Sequence, residues 1–254
     1  MLDYFNLTYI QGSQRHWLIL PGMLGSADDL RPVCPNNDSF ILIDYALDKD
    51  SNIDDFFNQL TVQLKALLPK NSILYGLGYS MGGRILQYLM VREPMLIQRG
   101  IFISSAVGIM SPKDRYLKYK FESLASNKLA TLSSADFLEW WYSLPIYNTL
   151  PHHTRFKDLV EKKVAEFNQD QIELRLLKFS ALCFPYRLAC INSPCLYVVG
   201  EKDHRYVQMI QHWGPEQFPK LSTVVIPAAS HLCFWEAPTE IIAHISQWLL
   251  HNTK

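Results

Sequence analysis

A serine set between glycines is the residue of this chain most suited to nucleophilic or base chemistry. Residues 72–77 form an apolar run typical of a buried strand, and residues 78–82 follow it with Ser80 at their centre. Glycines at both ends of such a segment allow a sharp, strained turn, because a Cβ there would collide with the neighbouring strand or helix. The turn lifts the serine hydroxyl above the sheet, whereas the alternative is a glycine-rich turn without chemistry. We therefore predict a nucleophile elbow at Ser80.

An imidazole and a carboxylate must accompany such a serine, since a hydroxyl is a poor nucleophile until an imidazole accepts its proton. The carboxylate fixes the tautomer of the imidazole and stabilises its cationic form. Asp203 follows the apolar run 195–199, and His231 follows the run 223–227. The chain order Ser, Asp, His is that of an α/β-hydrolase fold rather than of other serine enzymes. We predict Ser80, Asp203 and His231 as a catalytic triad.

The acid of the triad and the donors for an oxyanion are assigned from the loops next to the strands. Glu201 competes with Asp203 for the acid position, and we favour Asp203 because it lies farther past the strand, where the loop can turn over the sheet. A developing oxyanion needs preorganised donors, usually the backbone N–H after the nucleophile and one from the loop after the third strand. These are the N–H groups of Met81 and Met23, and the alternative for the Met23 loop is an ordinary strand-end turn.

Alternating strand and helix patterns position these residues. Residues 16–20 and 40–43 are near-continuous apolar runs typical of strands covered on both faces. Residues 53–68 follow the helical period, and residues 85–90 continue helically after the elbow before a strand pattern at 100–104. This alternation predicts an α/β fold with a mostly parallel central sheet flanked by helices.

The alternation lapses between residues 111 and 180, where the sequence reads as helical with charged and aromatic residues mixed. At 254 residues the chain is long enough for one large core with an insertion rather than two independent domains. We predict an α/β-hydrolase core at 1–110 and 181–254, with a helical cap inserted at 111–180.

Composition disfavours several classes of function. Lys and Arg (24) balance Asp and Glu (24), so no long-range field favours nucleic acid or an anionic membrane. The chain starts with no signal-like segment, and no run approaches the roughly 20 apolar residues that span a bilayer, so we expect a soluble, cytoplasmic protein without membrane insertion. The five cysteines lack a C-x-x-C pair and are predicted as reduced, buried side chains. Zinc-ligand spacing is absent, so we predict no metal site.

Cationic and aromatic side chains supply the clues to a substrate. Arg84 lies four residues after Ser80 on the same helical face, where its guanidinium must bind a substrate carboxylate or pair with a protein acid. In the cap, Lys118 and Lys163 belong to two basic clusters that either face the cleft or simply face water. Trp141, in a pair of tryptophans, either lines the pocket or forms the core of the cap.

These motifs resemble those of one enzyme family. Residues 78–84 resemble the elbow of the 2-succinyl-6-hydroxy-2,4-cyclohexadiene-1-carboxylate (SHCHC) synthases of menaquinone biosynthesis, members of the α/β-hydrolase superfamily. Residues 200–203 resemble the acid loop of that family, residues 231–238 its histidine loop and residues 141–147 its cap. The resemblance covers most of the chain.

The resemblance implies a carbon–oxygen lyase that eliminates pyruvate from SEPHCHC, a succinyl cyclohexene carboxylate that bears an enolpyruvyl ether. It further implies that the triad serine acts as the base, that no cofactor is needed, and that the substrate is a small anionic carboxylate. If the roles of the family residues hold at the matching positions of this chain, Tyr79 and Arg84 would bind the substrate and Trp141 would line the pocket. Two further family arginines in the cap fall on Lys118 and Lys163.

The chain also departs from the family pattern. Lys118 and Lys163 keep a positive charge but lose the planar fork that grips a carboxylate with two parallel bonds. Pro21 stands where the family has histidine, and Ser230 stands where it has glycine before the catalytic histidine. A carboxylesterase or thioesterase acting on a small acyl substrate is therefore the alternative function. A third hypothesis is a non-catalytic binding module, but a binder does not need an intact triad. The sequence does not determine the oligomeric state.

Overall fold

A central sheet of seven strands runs through the part of the chain that the structure describes. The structure is a computed structural model, and it describes residues 4–106, 111–183, 191–212, 218 and 220–252. The strands are β1 (Phe5–Ile10), β2 (His16–Leu20), β3 (Ser39–Tyr45), β4 (Leu74–Tyr79), β5 (Arg99–Ile103), β6 (Cys195–Gly200) and β7 (Leu221–Ile226). Their order in the sheet is β1-β3-β2-β4-β5-β6-β7, and all neighbours are parallel except β1 and β3. The predicted α/β class with a mostly parallel sheet is confirmed.

The central strands are apolar along their length because both faces of the sheet are covered. All six residues of β4 and all six of β6 are buried. Along β2, Trp17 and Ile19 pack in one core cluster while Leu18 and Leu20 pack in the other, since successive side chains of a strand point to opposite faces. Such strands need apolar residues on both sides, which explains the near-continuous apolar runs in the sequence.

Helices flank the sheet where the sequence pattern predicts them. In the described residues they are α1 (Ile53–Leu67), α2 (Met81–Arg92), α3 (Pro112–Thr131), α4 (Ser134–Tyr142), α5 (Phe156–Ala165), α6 (Gln169–Lys178), α7 (His204–His212), α8 (Cys233–Glu236) and α9 (Pro238–His251). α1 ends just before Pro69, since the residue preceding a proline is disfavoured in helical conformation. α9 begins with Pro238, because the first turn of a helix tolerates the missing N–H of proline.

Between β5 and β6 the described residues form helices joined by turns and loops, without a strand. These are α3 to α6 and the 3₁₀ helices Pro145–Tyr147 and Leu150–His152. We propose that these elements form the cap predicted at 111–180, on a core of 1–110 and 181–254. Side chains of this segment, called the helical insertion below, line a cavity together with residues that follow β2 and β4. The insertion therefore covers the carboxyl edge of the sheet, where Ser80 lies.

Replacement of Gly78 by alanine is expected to distort the turn after β4. A Cβ built at Gly78 lies 2.6 Å from the carbonyl oxygen of Gly82, a backbone atom that cannot move without displacing the start of α2. We expect Gly78→Ala to lower the free energy of unfolding by about 1–3 kcal/mol, as overpacked cores do. Gly25→Ala is the matched control, because the nearest atom there, Oδ2 of Asp29, lies 3.3 Å away and the next atoms lie at 3.7 Å, so the new Cβ requires a shift of only a few tenths of an ångström. Urea unfolding compares the two variants, and equal losses would contradict the expectation.

Candidate active site

Ser80 occupies a strained turn between β4 and α2. Its φ of 48° lies in the left-handed region, where a non-glycine residue is uncommon and costs energy. Two hydrogen bonds hold the turn in place. The Ser80 N–H donates to the carbonyl of Ile103 at 2.9 Å, and the Ser105 hydroxyl donates to the carbonyl of Ser80 at 3.1 Å. This geometry is that of the predicted nucleophile elbow.

Ser80, His231 and Asp203 lie in one line of hydrogen bonds. Nε2 of His231 lies 3.0 Å from Oγ of Ser80, and Nδ1 of His231 lies 2.5 Å from Oδ2 of Asp203. Asp203 is fully buried and His231 is 1 % exposed. When Nδ1 donates its proton to the carboxylate, the imidazole presents the Nε2 lone pair to the serine hydroxyl. The structure thus brings together the three residues predicted as a triad, and their catalytic role stays a prediction.

The loop after β6 separates the two candidate acids. Asp203 immediately precedes α7, and the positive end of a helix dipole favours a carboxylate at that position. Glu201 is turned to other partners, since it accepts the Ala228 N–H at 2.9 Å and lies 3.1 Å from Nζ of Lys202. These contacts, with the Ala228 hydrogen bond first, lower the pKa of Glu201. Of the two acids, Asp203 is therefore the one that contacts His231.

Aromatic rings enclose the imidazole of His231. The ring centroids of Tyr79, Tyr147 and Tyr206 lie 5.4, 5.4 and 4.7 Å from that of His231. Burial raises the pKa of all three tyrosines, so their hydroxyls stay protonated. The main-chain N–H of His231 donates to the carbonyl of Ile146 at 2.9 Å, which ties the histidine loop to the helical insertion. These contacts leave the imidazole little freedom to turn away from the serine.

Glu236 holds the histidine loop, a role that the sequence analysis missed. Its carboxylate accepts the Ser230 N–H at 2.5 Å, the Ser230 hydroxyl at 2.8 Å and the Thr149 hydroxyl at 2.7 Å. The serine that replaces the family glycine at position 230 thus finds its partner in Glu236. Glu236 lies in the segment 231–238 that resembles the histidine loop of the SHCHC synthases. That resemblance could have pointed to Glu236, but it assigned no role to this residue.

A cavity of about 380 Å³ opens above the elbow. The predicted site residues in its wall are Met23, Tyr79, Ser80, Trp141 and Lys163. Trp141 fits both predicted alternatives, because it lines the cavity and is also packed against Phe121 and Phe137 in the insertion. Met81 buries its side chain in the core, while its N–H lies in the first turn of α2, where N–H groups lack partners within the helix. The oxyanion role of Met23 and Met81 stays a prediction.

Lys163 lies in the cavity wall, but its ammonium group already forms ion pairs with two carboxylates of the protein. Its Nζ lies 2.7 Å from Oδ2 of Asp29 and 2.9 Å from Oε2 of Glu166. Asp29 also lies 2.6 Å from Nζ of Lys162 and accepts the Ser26 N–H at 2.9 Å. Burial acts to raise the pKa of Asp29, but the two ammonium groups and this N–H together lower it. The substrate contact of Lys163 stays a prediction, and a substrate would compete there with two protein acids.

Arg84 and Lys118 lie outside the described wall of this cavity. Arg84 is 5 % exposed, and its Nη2 donates to the carbonyl of Phe179 at 3.1 Å. Among the described residues, its Nε has no hydrogen-bond partner and the guanidinium forms no ion pair. Lys118 lies 3.0 Å from Oε1 of Glu122, and burial, followed by the charge of Arg84, lowers the pKa of Lys118 to about 8. The Ser180 hydroxyl donates to Oε2 of Glu122 at 2.6 Å, and Ser180 follows the Phe179 whose carbonyl binds Arg84. The two cations therefore share a second basic region, in which no described carboxylate pairs with Arg84.

The described residues offer neither a metal site nor a membrane span. No group of three or more His, Cys, Asp or Glu side chains in these ranges is placed to hold a metal ion. Nor does any helix of the described chain combine the length and apolar character needed to cross a membrane. Cys34, Cys195 and Cys233 are buried as predicted, but Cys183 is exposed because it lies in the turn region after α6. Cys190 lies outside the described residues.

Sequence comparison finds related proteins along most of the chain. A family model described as the alpha/beta hydrolase family matches residues 12–244. A relative from Haemophilus influenzae named "Putative 2-succinyl-6-hydroxy-2,4-cyclohexadiene-1-carboxylate synthase" is 26 % identical over 230 residues, which cover 84 % of this chain and 89 % of the relative. A relative from Serratia proteamaculans with the same name, without "putative", is 25 % identical over 250 residues, which cover 94 % and 95 %.

Solved structures share the fold. The structure of MenH from S. aureus superimposes with a TM-score of 0.86 at 18 % identity and covers 100 % of both chains. A carboxylesterase structure from the thaumarchaeon Nitrososphaera gargenis gives a TM-score of 0.78 at 15 % identity and covers 98 % of this chain and 96 % of the other. At these identities the likeness concerns the fold alone, because one fold supports many chemistries.

Amide substitutions distinguish the two candidate acids. Asp203→Asn keeps the shape of the side chain but lets His231 adopt the wrong tautomer, so we expect kcat to fall by a factor on the order of 10⁴, as in serine proteases. Glu201→Gln is the matched control, because its contact to Ala228 lies outside the line of hydrogen bonds and its loss should change kcat less than about threefold. Steady-state kinetics of both variants check the assignment, and the reverse ranking would move the acid role to Glu201.

Proposed function

The chain belongs to the alpha/beta hydrolase family, and we propose that it is a lyase of the SHCHC synthase type, which eliminates pyruvate from SEPHCHC in menaquinone biosynthesis. The two relatives with this name align with 84 % and 94 % of the chain. Because their identities are 26 % and 25 %, the substrate must be argued from the site itself. The observation that carries the proposal is the basic region formed by Arg84 and Lys118 beside the triad.

This region contains more positive than negative charge. Among the described residues, the two cations Arg84 and Lys118 meet one carboxylate, that of Glu122. A buried charge without an opposite charge costs several kcal/mol of stability. A substrate with carboxylates would supply the missing anion, and an arginine can grip one with two parallel hydrogen bonds. The region adjoins the triad along α2, because Arg84 lies one helical turn after Ser80 and its main-chain N–H donates to the carbonyl of Ser80 at 3.3 Å.

The triad can perform the proton transfer that this elimination needs. With its own proton passed to His231, the Ser80 oxygen removes the proton from the ring carbon next to the succinyl carbonyl. The electron pair shifts through the ring double bond, and the bond from the ring to the enolpyruvyl oxygen breaks. The proton taken from the ring carbon restores the Ser80 hydroxyl, and the imidazolium of His231 returns its proton to the departing enolate, which becomes pyruvate. The succinyl carbonyl oxygen gains negative charge in this step, and the N–H groups of Met23 and Met81 are the donors that would stabilise it.

A carboxylesterase or thioesterase acting on a small acyl substrate is the alternative. The observation in its favour is the balance of charge beside the Ser80 cavity, where the carboxylates of Asp29 and Glu166 match the ammonium groups of Lys162 and Lys163. Apolar side chains in the same wall are Leu24, Leu159, Leu232, Phe234 and Trp235. An uncharged acyl chain would fit such a wall without loss of hydration of a charged group. In this reaction Ser80 would attack the acyl carbonyl instead of removing a proton.

Turnover of two substrate classes by the purified protein separates the two reactions. Pyruvate release from SEPHCHC is followed with lactate dehydrogenase and NADH, and hydrolysis of short p-nitrophenyl esters and acyl thioesters is followed in parallel. We expect kcat/KM for SEPHCHC to exceed that for the best ester by at least about 100-fold. Ser80→Ala should abolish both reactions, since only the oxyanion donors and binding would remain. Ester or thioester turnover without pyruvate release would overturn the lyase proposal in favour of the alternative.

Arg84→Ala tests the contact with a substrate carboxylate. A partly buried bidentate contact of this kind contributes about 1.5–3 kcal/mol, so we expect kcat/KM for SEPHCHC to fall by about 10- to 100-fold. Turnover of a neutral ester should change little, because the ester lacks the carboxylate. Lys118→Ala should show the same asymmetry more weakly, since an ammonium is a hydrated point charge rather than a fork. Equal losses on both substrates would mean that Arg84 supports the structure and not the substrate.

The partly buried ammonium of Lys118 predicts a pH dependence. Burial, followed by the charge of Arg84, lowers the pKa of Lys118 to about 8. Lys118 therefore loses its proton as the pH rises through that value, and an anionic substrate, which favours the charged form, should bind less tightly at higher pH. We expect kcat/KM for SEPHCHC to decline above pH of about 8, and Lys118→Arg, which stays charged, to remove the decline. A pH profile with the same decline in Lys118→Arg as in the wild type would contradict this role.

A further inference from the structure

Arg175 joins the helical insertion to the loop that follows β2. It lies on α6, and its Nη1 donates to the carbonyl of Met23 at 3.0 Å. Its Nη2 donates to the carbonyl of Tyr45 at 3.3 Å, and its guanidinium carbon lies 5.5 Å from the centroid of the Tyr45 ring. One side chain of the insertion thus binds two backbone carbonyls of the core, and one of them belongs to a residue in the cavity wall.

This contact is not an ion pair. In the described part of the chain Arg175 pairs with no carboxylate, and its Nε is buried without a hydrogen-bond partner. Burial lowers the pKa of Arg175, although Tyr45 and Asp44 act in the opposite direction. Arg175 is half-buried, and a single hydrogen bond to a carbonyl can be made by any donor, so docking of the insertion does not by itself require an arginine. What arginine offers at this place is a planar fork whose donors point in fixed directions.

The peptide between Gly22 and Met23 carries the N–H predicted to stabilise the oxyanion. Its carbonyl, that of Gly22, accepts the Gly25 N–H at 3.3 Å. A trans peptide points its carbonyl and its N–H in opposite directions, and no described peptide is cis. The hydrogen bond inside the turn therefore directs the Met23 N–H out of the turn. A rotation of this peptide would withdraw the donor and present a carbonyl oxygen in its place.

The peptides on both sides of this one are also held. The carbonyl of Pro21 accepts the Tyr45 hydroxyl at 3.2 Å, and the carbonyl of Met23 accepts Nη1 of Arg175. Arg175 contacts the partners of both peptides. It binds the Met23 carbonyl directly, and it also binds the carbonyl of Tyr45 and lies over the ring of Tyr45, whose hydroxyl holds the Pro21 carbonyl. Without the guanidinium, the Met23 carbonyl loses its partner in the insertion and the turn gains freedom to rotate.

We propose that Arg175 is a positioning residue that holds the Met23 N–H in the direction of the negative charge that develops above Ser80. A donor lowers the barrier only if it is already oriented toward the place where the charge appears. The proposal rests on the proposed function in so far as Ser80 and Met23 are catalytic, and it holds equally for the lyase and for the esterase. A side chain of the insertion would then control a catalytic group of the core.

Gln171 provides a matched control on the same helix. Its side chain accepts the Leu47 N–H at 2.9 Å and donates to the Leu47 carbonyl at 2.7 Å. Gln171 therefore docks α6 on the core, as Arg175 does, but its hydrogen bonds do not reach the loop that contains Met23. Gln171→Ala weakens the docking alone, whereas Arg175→Met removes the fork and keeps a side chain of similar length.

Steady-state kinetics and boronate inhibition measure the effect on the oxyanion site. Phenylboronic acid forms a tetrahedral adduct with an activated serine, and an oxygen of that adduct occupies the oxyanion position. We expect Arg175→Met to lower kcat by about 10- to 100-fold, to change KM less than about threefold, and to raise Ki for phenylboronic acid by a factor similar to the loss in kcat. Gln171→Ala should change kcat and Ki less than about threefold. Arg175→Lys keeps a charge but no fork and should fall between Arg175→Met and the wild type.

The outcomes separate this proposal from the proposed function. Urea unfolding establishes that each variant is folded in the assay, and Arg175→Lys carries the comparison should Arg175→Met fail to fold. Equal losses in Arg175→Met and Gln171→Ala, or a loss confined to KM, would overturn the positioning role. Ester turnover without pyruvate release would end the lyase proposal, while the boronate comparison would still decide on Arg175. A wild-type protein that binds no boronate would overturn the roles of Ser80 and Arg175 together.

Discussion

Ser80 is held in a left-handed backbone conformation, and the other groups of the site are arranged around that strained turn. The φ of 48° costs energy that the surrounding packing must offset. β4 is buried along its whole length, Gly78 and Gly82 place no Cβ against the neighbouring backbone, and the Ile103 carbonyl accepts the Ser80 N–H. The hydroxyl therefore stands 3.0 Å from the imidazole of His231 before any substrate arrives. A site preorganised in this way needs no rearrangement when charge develops.

The helical insertion takes part in the site and does more than cover it. The carbonyl of Ile146 accepts the main-chain N–H of the histidine in the line of hydrogen bonds. Lys163 binds Asp29, and Arg175 binds the carbonyl of Met23. The first contact reaches the histidine loop, and the other two reach the segment between β2 and β3. A movement of the insertion would therefore disturb the histidine loop and the loop after β2 together, which couples the position of the insertion to the geometry of the candidate site.

Two basic regions near the elbow differ in how their charge is matched. Lys163 meets the carboxylates of Asp29 and Glu166, whereas the guanidinium of Arg84 meets no carboxylate among the described residues. A matched cation must give up its partners before it binds a substrate anion, but an unmatched buried cation gains a partner when it does so. This asymmetry is the physical basis for the proposed preference for an anionic substrate on the side of α2.

The sequence by itself determined the order of the elements and the elbow at Ser80, because apolar periodicity and glycine spacing act between residues that are neighbours in the chain. For the same reason, the acid and the histidine could be placed at the ends of two later strands. The sequence did not determine which charges meet. Asp29 and Lys163 are 134 residues apart, and Arg175 and Met23 are 152 residues apart. Whether a lysine faces an acid, a substrate or water, and which carbonyl an arginine binds, depends on how the insertion packs on the sheet. No local pattern encodes such contacts, so only the tertiary structure decided them.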